Sequence, residues 1–245
     1  MPETVIRKQR VDRLVAYLCD GVAALPGHSL ESELGDWLGA SPRFLAFADA
    51  HRDKIRKKLR VSTEPGVRGD VRAELQTAFL LLADRRFELG LEPYGRDRRG
   101  PDFAVAFRAS HHFNLEVTRP RRGSDDRSAA AAIGNALLAK LHQLPGEASN
   151  ALLVATGLAE SPEEVGAAIR NLKHRADRRD EEFFERRHIS PSDFQRLYRR
   201  LALLLVGSSS GTGVHAWANP EARRALPEGA AAACVASLAQ ARWAD

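Results

Sequence analysis

At 245 residues, with 44% hydrophobic and 28% charged side chains, the chain has the make-up of one sizeable α/β domain, or of a core domain with a helical appendage, and not of a disordered polymer. Its formal charge of +5 permits attraction to nucleic-acid phosphates without demanding it. Cys19 and Cys234 lie far apart in apolar helical contexts, which points to two reduced thiols in a cytoplasmic protein and away from a disulfide or a zinc site.

Met1-Pro2-Glu3-Thr4 has no apolar core behind its basic residues, so no secretory signal is expected. The longest apolar runs, Phe79 to Ala83 and Leu201 to Val206, are too short to span a bilayer, so no membrane partner is expected. Residues 4–60 read as helical, with Val5, Val11, Leu14, Val15, Leu18 and Val22 at helical spacing and a break at Leu25-Pro26-Gly27. Ser41-Pro42 has the form of a cap and first-turn proline for a helix carrying Phe44, Phe47, Ile55 and Leu59. The cations from Arg52 to Arg60 suit a solvated helix end as well as a nucleic-acid contact. Composition makes 61–70 a linker, which divides the chain into a helical region over 1–65 and an α/β domain over 66–245.

Next, Val71 to Phe87 is expected as a helix with a stripe at Leu75, Phe79 and Leu82, ended by Gly90. A charged turn leads to Gly100-Pro101, then to two runs of period two. Phe103, Val105 and Phe107 alternate with Asp102, Ala104 and Ala106, and Phe113, Leu115 and Val117 alternate with Asn114, Glu116 and Thr118. A hairpin turn is expected over 108–111. A helix over 126–142, a buried strand over 151–155, helices through 162–200 broken at Ser190-Pro191, a strand over 201–206, a second over 214–218 and a last helix over 229–242 complete the reading. The glycine- and serine-rich run 207–213 lacks the lysine of a phosphate loop and precedes a strand, so it reads as a hairpin turn. Cations over 170–187 are interleaved with acids and read as a salt-bridged face.

If the two period-two runs pair about residues 108–111, Asp102 and Glu116 meet at the open end of the hairpin. Two carboxylates at the edge of an apolar sheet call for a positive charge between them. Hard oxygen donors suit Mg²⁺ or Mn²⁺, which polarises a phosphodiester and lowers the pKa of bound water. The same residues have plainer readings: Glu74 as a solvated helix residue, Asp102 as a turn residue and Glu116 as the partner of a structural arginine. His111 and His112 at the hairpin tip are expected in solvent.

A glutamate on the first core helix, Gly100-Pro101-Asp102-Phe103 at a strand start and Asn114-Leu115-Glu116-Val117-Thr118 on the next strand resemble the acidic motifs of the PD-(D/E)XK nuclease superfamily. The match spans about 70–155. That resemblance implies a mixed β-sheet flanked by helices, with Asp102 and Glu116 as metal ligands, the Val117 carbonyl as a further ligand, and Glu74 as the helix glutamate that reaches the same metal through a water. It implies metal-dependent phosphodiester hydrolysis of nucleic acid, DNA in the first instance, with Arg119, Arg121 and Arg122 as backbone contacts. Thr118 departs from the pattern, standing where the family carries a lysine that orients water and offsets transition-state charge. Lys140 on the following helix, with Gln143 three residues on and on its face, is one candidate replacement, and Arg119 is another. The alternative is a catalytically inactive relative that binds nucleic acid or protein. Substrate recognition and homodimerisation are both open as roles for the N-terminal helices.

Overall fold

The computed structural model describes residues 3–22, 30–93, 100–120 and 128–243. It divides into two compact units, Met1–Arg85 and Arg86–Asp245. The division falls one helix later than the 65/66 boundary drawn from composition.

The first unit is helical: α1 (Glu3–Cys19), α2 (Leu30–Ala40), α3 (Pro42–Ala50), α4 (Arg52–Val61) and α5 (Pro65–Ala83). Ser41 caps α3, its hydroxyl accepting from the Phe44 amide, with Pro42 in the first turn. Leu18, Leu34, Leu38, Phe44, Ile55 and Leu59 are buried, and stripes at helical spacing make these elements a bundle. The linker expected over 61–70 is corrected. Pro65 opens α5 and only residues 62–64 lie outside helix. Arg68 is buried there, its Nε and Nη2 donating to the Ser62 carbonyl, so a local clasp and a first-turn proline offset the glycines of the segment.

The second unit is α/β. Its sheet has six strands in sequential order: β1 (Phe87–Leu91), β2 (Phe103–Phe107), β3 (His111–Thr118), β4 (Asn150–Ala159), β5 (Leu201–Ser208) and β6 (Val214–Ala218). β1, β2 and β3 are antiparallel, β3–β4 and β4–β5 parallel, and β5–β6 antiparallel. Helices α6 (Ala129–Lys140), α7 (Pro162–Asp177), α8 (Glu181–Glu185), α9 (Pro191–Tyr198) and α10 (Ala230–Ser237) flank it. This is the mixed sheet with a helical N-terminal region that the sequence led one to expect.

Phe87 and Gly90 are corrected from helix and helix end to strand β1. Phe87 lies off the stripe of Leu75, Phe79 and Leu82 but opens a period-two run with Leu89 and Leu91, and pairing with Phe107, Val105 and Phe103 fixes the strand. The last helix is shorter than expected, closing at Ser237. Beyond it, the Gly213 amide donates to Ala241 and Trp243 Nε1 donates to the Gly213 carbonyl, so the chain leaves the helix to clasp the β5–β6 hairpin.

Glu116, Leu152 and Leu204 stand in register across β3, β4 and β5, hence on one face. On that face Leu152, Val154, Leu204 and Val206 pack with Ile133 and Leu137 of α6, Val165 and Ile169 of α7, and Phe194 of α9. Full burial of each such side chain contributes about 1.5–3 kcal/mol. Glu116 therefore sits at the margin of an apolar core.

Candidate functional site

The β2–β3 register, Phe103 opposite Leu115, carries the pairing on to Asp102 and Glu116. The bonds there are reciprocal. The Asp102 amide donates to Glu116 Oε2 (3.2 Å) and the Val117 amide donates to Asp102 Oδ2 (2.9 Å). Asp102 is partly exposed and the Glu116 side chain is 2% exposed. The turn is tighter than the 108–111 expected, closing over 108–110 with Arg108 (φ 51°) and Ala109 (φ 60°) left-handed and His111 already in β3.

The parallel crossover from β3 through α6 to β4 returns the C-terminus of α6 over Glu116. Lys140, the last residue of α6 and its one charged side chain, donates from Nζ to Glu116 Oε1 at 2.6 Å. The same Nζ lies 3.4 Å from Gln143 Oε1 in the 3-10 turn Leu141–Gln143. Lys140 is 23% exposed, so one side of the group faces solvent. Burial first, then the neighbouring Asp102 carboxylate, push the Glu116 carboxyl up to about 7, against the pull of Lys140.

Below the carboxylates, two asparagines fix the strands. Asn150, fully buried, accepts from Asn114 Nδ2 (3.1 Å) and donates to the carbonyls of Pro145, Ala148 and Arg200, each at 2.9 Å. Asn114 lies two residues before Glu116 on its face, so this clasp sets the height of β3 against β4 and the turn that follows Lys140. The sequence reading passed over Asn150. Its only local signal is a polar residue at the head of an apolar strand.

Of the expected site residues, Asp102, Glu116, Val117 and Lys140 come together. Thr118 lies two residues beyond Glu116 on its face, opposite Val154. Arg119 follows the end of β3 and is half-buried, whereas Arg121 and Arg122 lie outside the described residues. Glu74 belongs to the first unit, on α5, where it accepts from Lys58. Of the cations over 170–187, Arg175 pairs with Asp180 and Arg186 with Glu182 within that stretch, while Lys173 pairs with Glu221 and Arg187 donates to Asn135.

Among the described residues, no cluster of three or more His, Cys, Asp or Glu side chains is assembled. What the site offers a hard cation is the carboxylates of Asp102 and Glu116, linked through the Asp102 and Val117 amides. Mg²⁺ is commonly held by one or two carboxylates, with water and substrate phosphate completing its shell. A buried carboxylate already holding an ammonium is a place where positive charge is stabilised, so the donor set fits such an ion. Among the described residues, Cys19 and Cys234 form no disulfide, and no helix is long and apolar enough to cross a membrane. No family model, curated protein or solved structure matches the chain.

Proposed function

We propose that the protein is a metal-dependent nuclease of PD-(D/E)XK type, hydrolysing phosphodiester bonds of nucleic acid, DNA first. The observation that carries this reading is the Lys140 ammonium on Glu116. A cation stands beside the carboxylate pair although Thr118 leaves the strand position without one. Asp102 and Glu116, with the Val117 carbonyl, are the residues to hold Mg²⁺ or Mn²⁺, which when bound supplies Lewis-acid activation of a phosphate and of water. Lys140 takes the role of the strand lysine, orienting the attacking water and offsetting charge that develops on phosphate. Arg119, Arg121 and Arg122, which follow the motif in the sequence, are the proposed contacts to the nucleic-acid backbone.

Thr118 favours a second reading, an inactive member of the same fold that binds nucleic acid or protein. One experiment separates the two. Mn²⁺ and Mg²⁺ binding is measured by calorimetry on wild type and on Asp102→Ala/Glu116→Ala, with plasmid and single-stranded DNA cleavage followed on the same samples. Binding and cleavage that both vanish in the double variant support the nuclease. Binding without cleavage supports the inactive module. No metal binding by wild type, with DNA present, removes the metal site.

A further inference from the structure

The second contact of Lys140 is not used by the proposed chemistry. Its Nζ is bonded to Glu116 Oε1 at 2.6 Å, yet Gln143 Oε1 lies 3.4 Å away on the next turn. Glu116 is nearly enclosed, and its other oxygen, Oε2, already accepts the Asp102 amide. A cation seeking Glu116 therefore meets an oxygen held by an ammonium. Lysine carries a compact charge on a flexible stem that can pass between neighbouring acceptors. A buried carboxylate without a counter-charge is costly, so one cation must replace the other and Glu116 is not left bare between them.

We propose that Lys140 is the internal counterion of Glu116, that a divalent cation displaces it, and that the Gln143 side-chain oxygen receives the displaced ammonium. This inference rests on the metal-site reading above. It makes Gln143 a positioning residue. Gln143 keeps the lysine within reach of the site after exchange and lowers the cost of letting the cation in. The neutral amide does this without adding a third carboxylate, which would trap the ammonium for good.

The test is Mn²⁺ binding by calorimetry at one fixed pH in chelator-treated buffer. The proteins are wild type, Lys140→Met, Gln143→Leu and the double variant. Removing the competing ammonium is expected to tighten Mn²⁺ binding roughly tenfold or more. Gln143→Leu is expected to weaken binding about two- to tenfold where Lys140 is present, the range of one lost hydrogen bond, and to change nothing in the Lys140→Met background. Because Lys140→Met strips a buried carboxylate of its partner, ¹⁵N spectra of the wild-type lysine Nζ groups under Mg²⁺ titration provide a measurement free of mutation. The Lys140 signal is expected to move in step with occupancy. Unchanged or weaker binding by a folded Lys140→Met, or a Lys140 signal that stays still as metal binds, overturns the exchange and leaves the metal site standing. An equal loss from Gln143→Leu in both backgrounds places Gln143 on the metal itself and overturns its role as the receiving seat. Absence of binding in all four proteins overturns the metal site and the exchange together.

Discussion

Replacing Glu116 by glutamine is expected to make the protein more resistant to unfolding at alkaline pH than at acid pH, relative to wild type. Glu116 in the folded chain titrates near 7, against an ordinary value of 4.5, because burial and the Asp102 carboxylate disfavour its charge. Between those values the folded state binds more protons than the unfolded one. The stability associated with the protonated carboxyl is complete below about 4.5 and is lost as pH rises through about 7. A shift of that size corresponds at most to about 3 kcal/mol. Glutamine does not titrate, so the variant escapes this loss. It carries a separate, pH-independent cost of about 1 kcal/mol, since its NH₂ must face either the Asp102 amide or the Lys140 ammonium. The quantity to follow is the difference in Tm between variant and wild type, by circular dichroism in chelator-treated buffer, from about pH 5 to about pH 8. That difference is expected to move in favour of Glu116→Gln by at most roughly 5–10 °C across the range. A difference that stays flat, or moves the other way, would show that the Lys140–Glu116 pair offsets its own desolvation, and the site would then be an ordinary structural ion pair.

Asn150→Ala removes a fully buried side chain that serves Pro145, Ala148, Arg200 and Asn114, and is expected to destabilise by about 2–4 kcal/mol in urea unfolding. A loss under about 0.5 kcal/mol would refute its role as a clasp. At Gly207 an added methyl would stand 2.4 Å from the Thr156 carbonyl oxygen and 2.7 Å from Trp243 Cδ1, so Gly207→Ala is expected to cost over about 2 kcal/mol in the same assay. A neutral outcome would mean that β4 and β5 separate more easily there than their pairing implies. Leu152→Ala, beneath α6 and beside Glu116, is expected to cost about 2–5 kcal/mol through the cavity it leaves. Tm close to wild type would contradict the placement of that core.

Much of the second unit was legible because its determinants are local. Alternation marks β2 and β3, and the turn between them brings Asp102 and Glu116 to one level before any tertiary contact is considered. The errors fall where two local codes agree with one segment. Phe87 follows an apolar helical run and opens a period-two run, and its pairing with Phe107, some twenty residues further on, settles it as strand. The 61–70 segment has the composition of a linker, yet a proline in the first turn and a buried arginine seat it in helix. Asn150 was invisible for a different reason. Its value lies in joining the turn of Pro145 and Ala148 to the Arg200 carbonyl and the Asn114 side chain, and no spacing in the sequence announces that convergence.

The position of Lys140 follows from topology. On β3, a side chain two residues past Glu116 shares its face, which is the strand route for bringing a cation to the carboxylate, and there the chain has Thr118. The parallel crossover opens a second route. A helix that leaves the end of β3 and returns to the head of β4 brings its last turn back toward the first residues of β4, where Leu152 lies opposite Glu116. The buried face of α6 is filled by Ala132, Ile133, Ala136 and Leu137. A charge anywhere along it would be buried without a partner, except in the last turn, where solvent, the negative end of the helix dipole and Glu116 all favour a cation. Lys140 occupies that turn and is the only charged residue of the helix. A lysine placed for solubility alone would be as well served on the exposed side of α6. That the single charge lies in the one turn that can reach Glu116 is the structural reason to look for chemistry at the Asp102–Glu116 pair.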